Sequence, residues 1–160
     1  MPSPLPYRPN VGIVVFNKEG LTLVGERLDN PGAWQYPQGG VDAGEEFVVA
    51  AQRELAEETG IRDALFIFEA PELLYYNFPE GLVIPQMTDR YRGQMQKWYL
   101  AYWNHPTNDT NLHTHTQEFA RVAFRPMAEA TNQIVPFKRT IYAALERLFL
   151  PKIQQFLQKL

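Results

Sequence analysis

The sequence predicts an α/β protein with a mixed β-sheet that carries helices on its faces. Candidate strands outnumber candidate helices, and the two long helical segments lie far apart along the chain. Helices separated by many strands are typical of a sheet with helical layers. A chain of 160 residues is long enough for a real core, so we expect one domain over residues 1–160.

The first third of the chain predicts strands around a glycine-rich loop. Four prolines make residues 1–10 an extended, irregular N-terminal arm. The β-branched run 11–16 and the alternating segment 21–26, joined by a short turn, predict a hairpin. A short strand is expected at 34–37, and the glycines of residues 38–46 predict a loop.

The remainder of the chain predicts two helices and a further set of strands. The first helix covers residues 47–59 and ends at Gly60. The second covers 137–149 and ends at Pro151, with a short last helix after it. Residues 79–94 form an insertion without clear periodicity. Strands are predicted at 64–70, 72–78, 95–103 and 118–124.

Composition excludes several classes of function. The formal net charge of −3 provides no global positive field, so we expect no DNA partner. The absence of cysteine excludes disulfides, thiolate nucleophiles and zinc–thiolate sites, and it fits the reducing cytoplasm, where we expect the protein. No apolar run approaches about 20 residues, and the first residues do not resemble a secretory signal, so no membrane partner is expected.

Acidic side chains are concentrated on the helix predicted at 47–59. Glu54, Glu57 and Glu58 fall within about 100° of arc beside the apolar stripe. Like-charge neighbours cost roughly 0.2–0.5 kcal/mol each in an isolated helix, so the cluster indicates a bound cation. The alternative is a solvated acidic face in which Arg53 and Glu57 form an ordinary i,i+4 pair.

Glycines before the helix favour the cation hypothesis. Gly39, Gly40 and Gly44 allow backbone turns that other residues resist, so carbonyl oxygens can face the carboxylates. Carboxylate and carbonyl oxygens together make a hard-oxygen site, which suits Mg²⁺ or Mn²⁺.

The spacing of these residues resembles the Nudix box. Nine defined residues match over the 23 positions 39–61: Gly39, Glu45, Arg53, Glu54, Leu55, Glu57, Glu58, Gly60 and Ile61. The resemblance implies a Nudix-type α/β/α sandwich around a mixed β-sheet. It also implies hydrolysis of a nucleoside diphosphate linked to another group, with Mg²⁺ or Mn²⁺ as cofactor and two or more ions once substrate is bound.

The same resemblance assigns roles to individual residues. The metal-binding and catalytic carboxylates would be Glu54, Glu57 and Glu58. Arg53 would orient them, Glu45 would tie the loop to the helix, and a backbone carbonyl of Gln38 or Gly39 would be a further metal ligand. Divalent ions would neutralise the polyphosphate and hold the attacking water in line.

The segments that flank the box resemble one Nudix subfamily. Residues 7–17, 34–45, 93–100 and 135–139 are similar to bacterial RNA pyrophosphohydrolases and to bacterial and plant diadenosine tetraphosphate hydrolases. This resemblance implies substrate contacts by Arg8, Arg27, Lys97, Phe137 and Lys138. Phe137 would stack on a base with Arg27 on its other face. Glu118, where the subfamily has a distant metal or general-base glutamate, would be a further ligand or catalytic residue.

Alternatives remain for the residues and for the function. Phe137 could be core packing, Lys97 could be solvated, and His113 and His115 fit a polar loop better than a metal site. The leading hypothesis is a metal-dependent pyrophosphohydrolase of dinucleoside polyphosphates, of 5′-triphosphate RNA ends, or of both. The alternatives are a catalytically silent Nudix-like binding protein and a mononucleotide or nucleotide-sugar pyrophosphatase.

Overall fold

The computed structural model describes residues 3–160, which contain one sheet of eight strands and three α-helices. The strands are β1 (Tyr7–Phe16), β2 (Thr22–Arg27), β3 (Trp34–Gln35), β4 (Gln38–Gly40), β5 (Leu65–Glu69), β6 (Leu74–Asn77), β7 (Gly93–Tyr102) and β8 (Phe119–Arg125). The helices are α1 (Phe47–Thr59), α2 (Met127–Gln133) and α3 (Arg139–Gln158). Short 3₁₀ turns cover Thr107–Asp109 and Pro136–Lys138.

The sheet is mixed, as predicted. Its central pair, β1 and β7, is parallel over its whole length, from Tyr7 opposite Gly93 to Phe16 opposite Tyr102. The other pairs are antiparallel: β1 with β2 and β4, β2 with β3 and β8, and β7 with β5 and β6. A central parallel pair needs a long crossover, and the chain between β1 and β7 provides it.

Helices cover both faces of the sheet, which confirms the α/β/α sandwich. On one face, α1 packs Ala51 and Leu55 against the alternate residues of β1, such as Ile13. On the other face, α2 and α3 enclose a core around Trp98 and Tyr142. No helix within residues 3–160 has the length and apolarity needed to cross a membrane.

The helix α1 has the predicted bounds because its start and stop signals are local. Its C-cap, Gly60, has a φ of 76°, and its N–H donates to the carbonyl of Ala56 at 2.9 Å. The left-handed backbone conformation directly after a helix favours glycine. The buried stripe of α1 includes Glu54 and Glu58 as well as Leu55, so two of the acidic residues are held inside the protein.

Two predicted irregular segments are strands. Residues 7–10 of the predicted N-terminal arm belong to β1, because the parallel register with β7 extends past Pro9. Of that arm, residues 3–6 lack regular structure, and residues 1–2 lie outside the described residues. Residues 38–40, predicted as loop, form β4 and pair with β1, so the two glycines lie in the sheet.

The C-terminal helix does not end at Pro151. The helix α3 runs through this proline to Gln158, so the prediction of a break was wrong. Proline removes one backbone hydrogen bond, but Phe149 and Ile153 are buried on either side of it, and Phe156 packs edge-on against Phe16. The stripe of buried side chains therefore continues. The short helix α2 was not predicted.

Candidate active site

The carboxylate of Glu54 lies directly against the backbone of Gly39 in β4. A Cβ atom on Gly39 would collide with the carboxylate of Glu54, and one on Gly40 would collide with the guanidinium of Arg8. Only glycine allows this approach, since any side chain would displace a charged group. The close contact places the Gly39 backbone beside the acidic residues, where the sequence predicted it.

Arg53 joins the helix to the loop. Its Nε donates to Glu45 Oε2 at 2.8 Å, and its Nη2 donates to the Gly40 carbonyl at 2.9 Å. Its Nη1 donates to Glu54 Oε1 at 2.9 Å and to Glu57 Oε2 at 3.2 Å. The ordinary i,i+4 pair is thus one contact in a network of four partners. The hydrogen bonds from Arg53 hold the pKa of Glu45 near 2.

Burial and crowding make two of the carboxyls weak acids. Burial raises the pKa of Glu54 to about 7, against the opposing charge of Arg53. Burial also raises the pKa of Glu58 well above its usual value, and the neighbouring carboxyls of Glu118 and Glu54 add to the effect. The Gln38 N–H donates to Glu58 Oε2 at 3.3 Å. Within residues 3–160, the buried Glu58 Oε1 has no hydrogen-bond partner.

The loop before β8 brings Glu118 to the same place. Thr114 Oγ1 donates to the carbonyls of Ala56 and Glu57 at 3.0 and 3.1 Å, so the loop is fastened to the end of α1. On its other side, the Leu28 N–H donates to the Glu118 carbonyl at 2.8 Å. Glu118 is therefore held between α1 and β2, although it is far from the Nudix-like spacing in sequence.

The donor set fits a hard divalent cation. All the groups are oxygens, Glu58 Oε1 lacks a partner, and two carboxyls are crowded enough to hold protons. No three histidine, aspartate or glutamate side chains in the described chain converge as a preformed cage, and Arg53 Nη1 binds one oxygen each of Glu54 and Glu57. A cation would thus need further oxygens, such as those of a polyphosphate. His115 Nε2 lies 3.9 Å from Glu57 Oε1 and adds only an edge contact.

A cleft of about 780 Å³ opens beside these carboxylates. It is lined by Glu54 and Glu118 together with Gln38 and Gly39 of β4, and we call this part the carboxylate end. The predicted substrate residues that line it are Arg8, Arg27, Phe137 and Lys138. The structure therefore brings four of the five predicted substrate residues to one cleft, although their roles stay predictions.

The part of the cleft around Arg27, Phe137 and Lys138 is aromatic and basic, and we call it the nucleoside end after the role proposed below. Phe137 packs against Tyr76 with ring centroids 5.6 Å apart, so it is part of the core and of the cleft wall together. The Lys138 ammonium lies 5.6 Å from the Tyr76 ring. Burial, with a smaller effect of Arg27, lowers the pKa of Lys138 to about 8.

Lys97 is not part of the cleft. Its ammonium donates to the Ala70 carbonyl at 2.6 Å and lies 3.5 Å from Glu69. However, Lys97 pairs with Val11, which also pairs with Gly39. Paired residues share a face of the sheet, so Lys97 lies on the α1 face, roughly 10 Å from Gly39 at two strand spacings.

Sequence reasoning missed several residues of the cleft. Asp29 and Gln35 bind the guanidinium of Arg27, and an acidic residue two positions after an arginine was a signal for such a pair. The insertion supplies an apolar part of the wall with Leu82, Ile84 and Met87. Nothing in its aperiodic sequence indicated that these side chains would face the cleft.

A family model described as the NUDIX domain matches residues 6–145, most of the chain. The chain belongs to the Nudix family. Its relatives include RNA pyrophosphohydrolase of Mesorhizobium japonicum, 42% identical over 157 residues that cover 91% of each chain. RNA pyrophosphohydrolase of Roseobacter denitrificans is 44% identical over 144 residues, which cover 88% of this chain and 90% of the relative. The protein is therefore a Nudix hydrolase.

Solved structures confirm the Nudix fold. A binary complex of Caenorhabditis elegans Ap4A hydrolase covers 90% of this chain and 98% of its own, with a TM-score of 0.65 at 21% identity. The Escherichia coli dihydroneopterin triphosphate pyrophosphohydrolase covers 91% of this chain and 99% of its own, with a TM-score of 0.69 at 18% identity. At such identities the likeness concerns the fold alone.

Proposed function

We propose that this Nudix hydrolase cleaves a phosphoanhydride bond in 5′-triphosphate RNA ends, in dinucleoside polyphosphates of the diadenosine tetraphosphate type, or in both. RNA ends are the leading candidate, because relatives of 40–44% identity carry the name RNA pyrophosphohydrolase. A cytoplasmic location fits both substrates and the cysteine-free composition.

One observation carries the proposal: a single cleft is lined both by carboxylates, Glu54 and Glu118, and by an aromatic, basic group around Arg27, Phe137 and Lys138. A polyphosphate with a nucleoside attached has groups complementary to both. Arg8, beside Gly40, would contact the phosphates, and Phe137 with Arg27 would enclose the base.

The carboxylate end would hold Mg²⁺ or Mn²⁺ through Glu54, Glu57, Glu58 and Glu118, with a carbonyl of Gln38 or Gly39. Such ions, two or more with substrate bound, neutralise phosphate charge and favour attack by water. The protein's own part is to fix these oxygens. Arg53 keeps Glu54 and Glu57 in place, and the Thr114 contact keeps the loop of Glu118 against α1.

The same carboxylates would also handle the proton of the attacking water. A carboxyl whose pKa is raised toward neutrality is a better base than an ordinary one. Burial raises the pKa values of Glu54 and Glu58 in this way, which supports one of them, or Glu118 beside them, as the base. The alternative of a silent binding protein gains no support, because every box glutamate is present.

A side-by-side assay tests the proposal. Diadenosine tetraphosphate and 5′-triphosphate RNA are incubated with the protein and Mg²⁺, and the products are identified by mass. We expect RNA with a 5′-monophosphate, mononucleotides from the dinucleotide, or both. Glu58→Gln is the inactive comparison, and Glu46→Gln, an exposed glutamate without side-chain contacts at the start of α1, is the matched control. Cleavage of neither substrate would refute the proposal.

A further inference from the structure

The nucleoside end of the cleft contains one acidic residue that the proposed chemistry does not use. Asp29 lies on the loop after β2, and its side chain is 69% exposed. An acidic group at the edge of a cleft for polyanions weakens the attraction for the substrate. Its position therefore needs a physical reason, and its contacts provide one.

Asp29 binds Arg27 through two hydrogen bonds. Arg27 Nε donates to Asp29 Oδ1 at 2.8 Å, and Nη2 donates to Oδ2 at 2.7 Å. On the opposite edge, Nη1 donates to Gln35 Oε1 at 3.3 Å. Each guanidinium nitrogen thus has a protein acceptor. Because the N–H bonds of a guanidinium lie in its plane, the acceptors fix the orientation of that plane.

The backbone holds the pair in place without a ligand. The pairing of β2 with β8 shifts register between Glu26 and Arg27, with the extra residue, Ala120, on β8, and such bulges are common beside active sites. The loop is closed by a hydrogen bond from the Arg27 N–H to the Ala33 carbonyl at 2.8 Å. Asp29 is therefore presented to Arg27 before the substrate arrives.

This geometry selects one way for Arg27 to meet the substrate. An arginine that uses its N–H edge to bind an exposed carboxylate has few donors left for phosphate. Its flat faces remain, and these can stack on an aromatic base. The carboxylate of Asp29 also offsets the positive charge of Arg27, which lies near the buried Lys138.

We propose that Asp29, assisted by Gln35, is a positioning residue that fixes the guanidinium plane of Arg27 so that its face meets the nucleobase of the substrate. The inference rests on the proposed function, because it requires a nucleotide in the cleft. It assigns Arg27 to the base and leaves the phosphates to other groups.

A double-mutant cycle tests the proposal. The kcat and KM values of Asp29→Ala, Arg27→Ala and the double variant are measured on diadenosine tetraphosphate and 5′-triphosphate RNA. We expect Asp29→Ala to raise KM roughly three- to tenfold with kcat nearly unchanged, and the double variant to match Arg27→Ala. Asp29→Asn, which keeps the shape and one acceptor, should lie between wild type and Asp29→Ala.

Controls separate this role from a structural one. Glu19→Ala removes an exposed acidic side chain outside the cleft, on the turn between β1 and β2, and should keep wild-type KM. Additive effects of Asp29→Ala and Arg27→Ala would overturn the proposal, because Asp29 would then act on the substrate directly. An unchanged KM in Asp29→Ala would overturn it as well.

Binding of ATP in the presence of EDTA separates this proposal from the proposed function. If the wild type cleaves neither substrate, the proposed function fails. The dissociation constants of ATP for the wild type, the two single variants and the double variant then test the role of Asp29. The positioning role is supported if Asp29→Ala weakens ATP binding in the otherwise wild-type protein but has no further effect in a protein that already carries Arg27→Ala. Equal losses in both backgrounds, or no ATP binding by the wild type, would overturn it.

Discussion

The two ends of the cleft are built in opposite ways. The carboxylate end takes nearly all of its groups from β4 and α1, which are adjacent in the chain. The nucleoside end combines Arg27 from the end of β2, Phe137 from the turn before α3 and apolar residues of the insertion. The proposed reaction chemistry thus depends on a short local spacing, whereas the proposed recognition of the base depends on the tertiary structure.

The two ends also differ in charge. Burial at the carboxylate end raises the pKa values of Glu54 and Glu58, so it favours neutral carboxyls there. Burial at the nucleoside end lowers the pKa of Lys138 to about 8, with a smaller effect of Arg27, so it favours a neutral amine there. Since the carboxylates would act on the reacting phosphate and the other end would bind the base, variants at the first end should change kcat, and variants at the second should mainly change KM.

Removal of divalent cations should have the largest effect and should act on one end only. We expect excess EDTA to abolish turnover and added Mg²⁺ to restore it, because the crowded carboxylates of Glu54 and Glu57 share the one guanidinium of Arg53. Weak binding of ATP at the nucleoside end should survive EDTA, as calorimetry would show. Full turnover in EDTA would refute the metal site.

Glu57→Gln and Glu58→Gln should follow, each lowering kcat by a factor of about 10²–10⁴ while KM changes little. Glutamine keeps the shape of the side chain but loses its charge, so the fold should persist in circular dichroism. Glu46→Gln, at the exposed N-cap of the same helix, is the matched control. Turnover at the wild-type rate in either variant would contradict the assignment of the carboxylates.

The carboxylate end could be predicted from sequence because its signals are local. A helix of fixed period, a glycine stop and glycines before Glu45 determine where Glu54 and Glu58 lie, and α1 has the predicted bounds. The same local rules failed at Pro151, where the burial of Phe149 and Ile153 outweighs the lost hydrogen bond.

The nucleoside end could be predicted only in part. Resemblance indicated Arg27 and Phe137, and the acidic residue two positions after Arg27 was a local signal for the pair, but the geometry of the pair depends on the register shift between β2 and β8. The same holds for β4, which becomes a strand only because β1 offers it an edge to pair with. Contacts between distant segments are not encoded in local patterns.

Lys97→Ala tests whether a residue outside the cleft belongs to the reaction. Because Lys97 shares the α1 face with Gly39, we expect it to reach the outer phosphates, and its loss to lower kcat/KM roughly ten- to a hundredfold, about 1.4–2.8 kcal/mol. Lys18→Ala, an exposed lysine on the first turn, is the control. Wild-type kcat/KM with a lower Tm would mean that Lys97 only satisfies the Ala70 carbonyl.

Phe137→Ala should act at the nucleoside end, raising KM roughly tenfold through loss of a base stack worth about 1–3 kcal/mol. Since Phe137 also packs against Tyr76, Phe137→Leu is needed to separate stacking from packing. If packing alone matters, leucine should restore wild-type KM. If the physiological substrate is an RNA end, Phe137→Ala and Phe137→Leu should both impair RNA cleavage more than cleavage of diadenosine tetraphosphate.

The smallest effect concerns the stability of the metal-free protein. Glu54, with a pKa of about 7, and Glu58, with a raised pKa, hold protons that the unfolded chain releases near pH 4.5. The free energy of unfolding should therefore be highest near pH 5 and fall as the pH rises through 7. For Glu54 the loss is on the order of 3 kcal/mol at most, or a Tm lower by roughly 5–10 °C.

Thermal melts in EDTA between pH 5 and pH 8 measure this slope, above the range in which Glu45 titrates. Glu54→Gln and Glu58→Gln should flatten it, because a neutral amide has no proton to lose, and both should melt above the wild type at pH 8. Glu46→Gln should keep the wild-type slope. Mg²⁺ should stabilise the wild type most at pH 8, where the carboxylates are charged. A flat wild-type profile would mean that the carboxylate end is solvated, and the contrast between the two ends would lose its electrostatic basis.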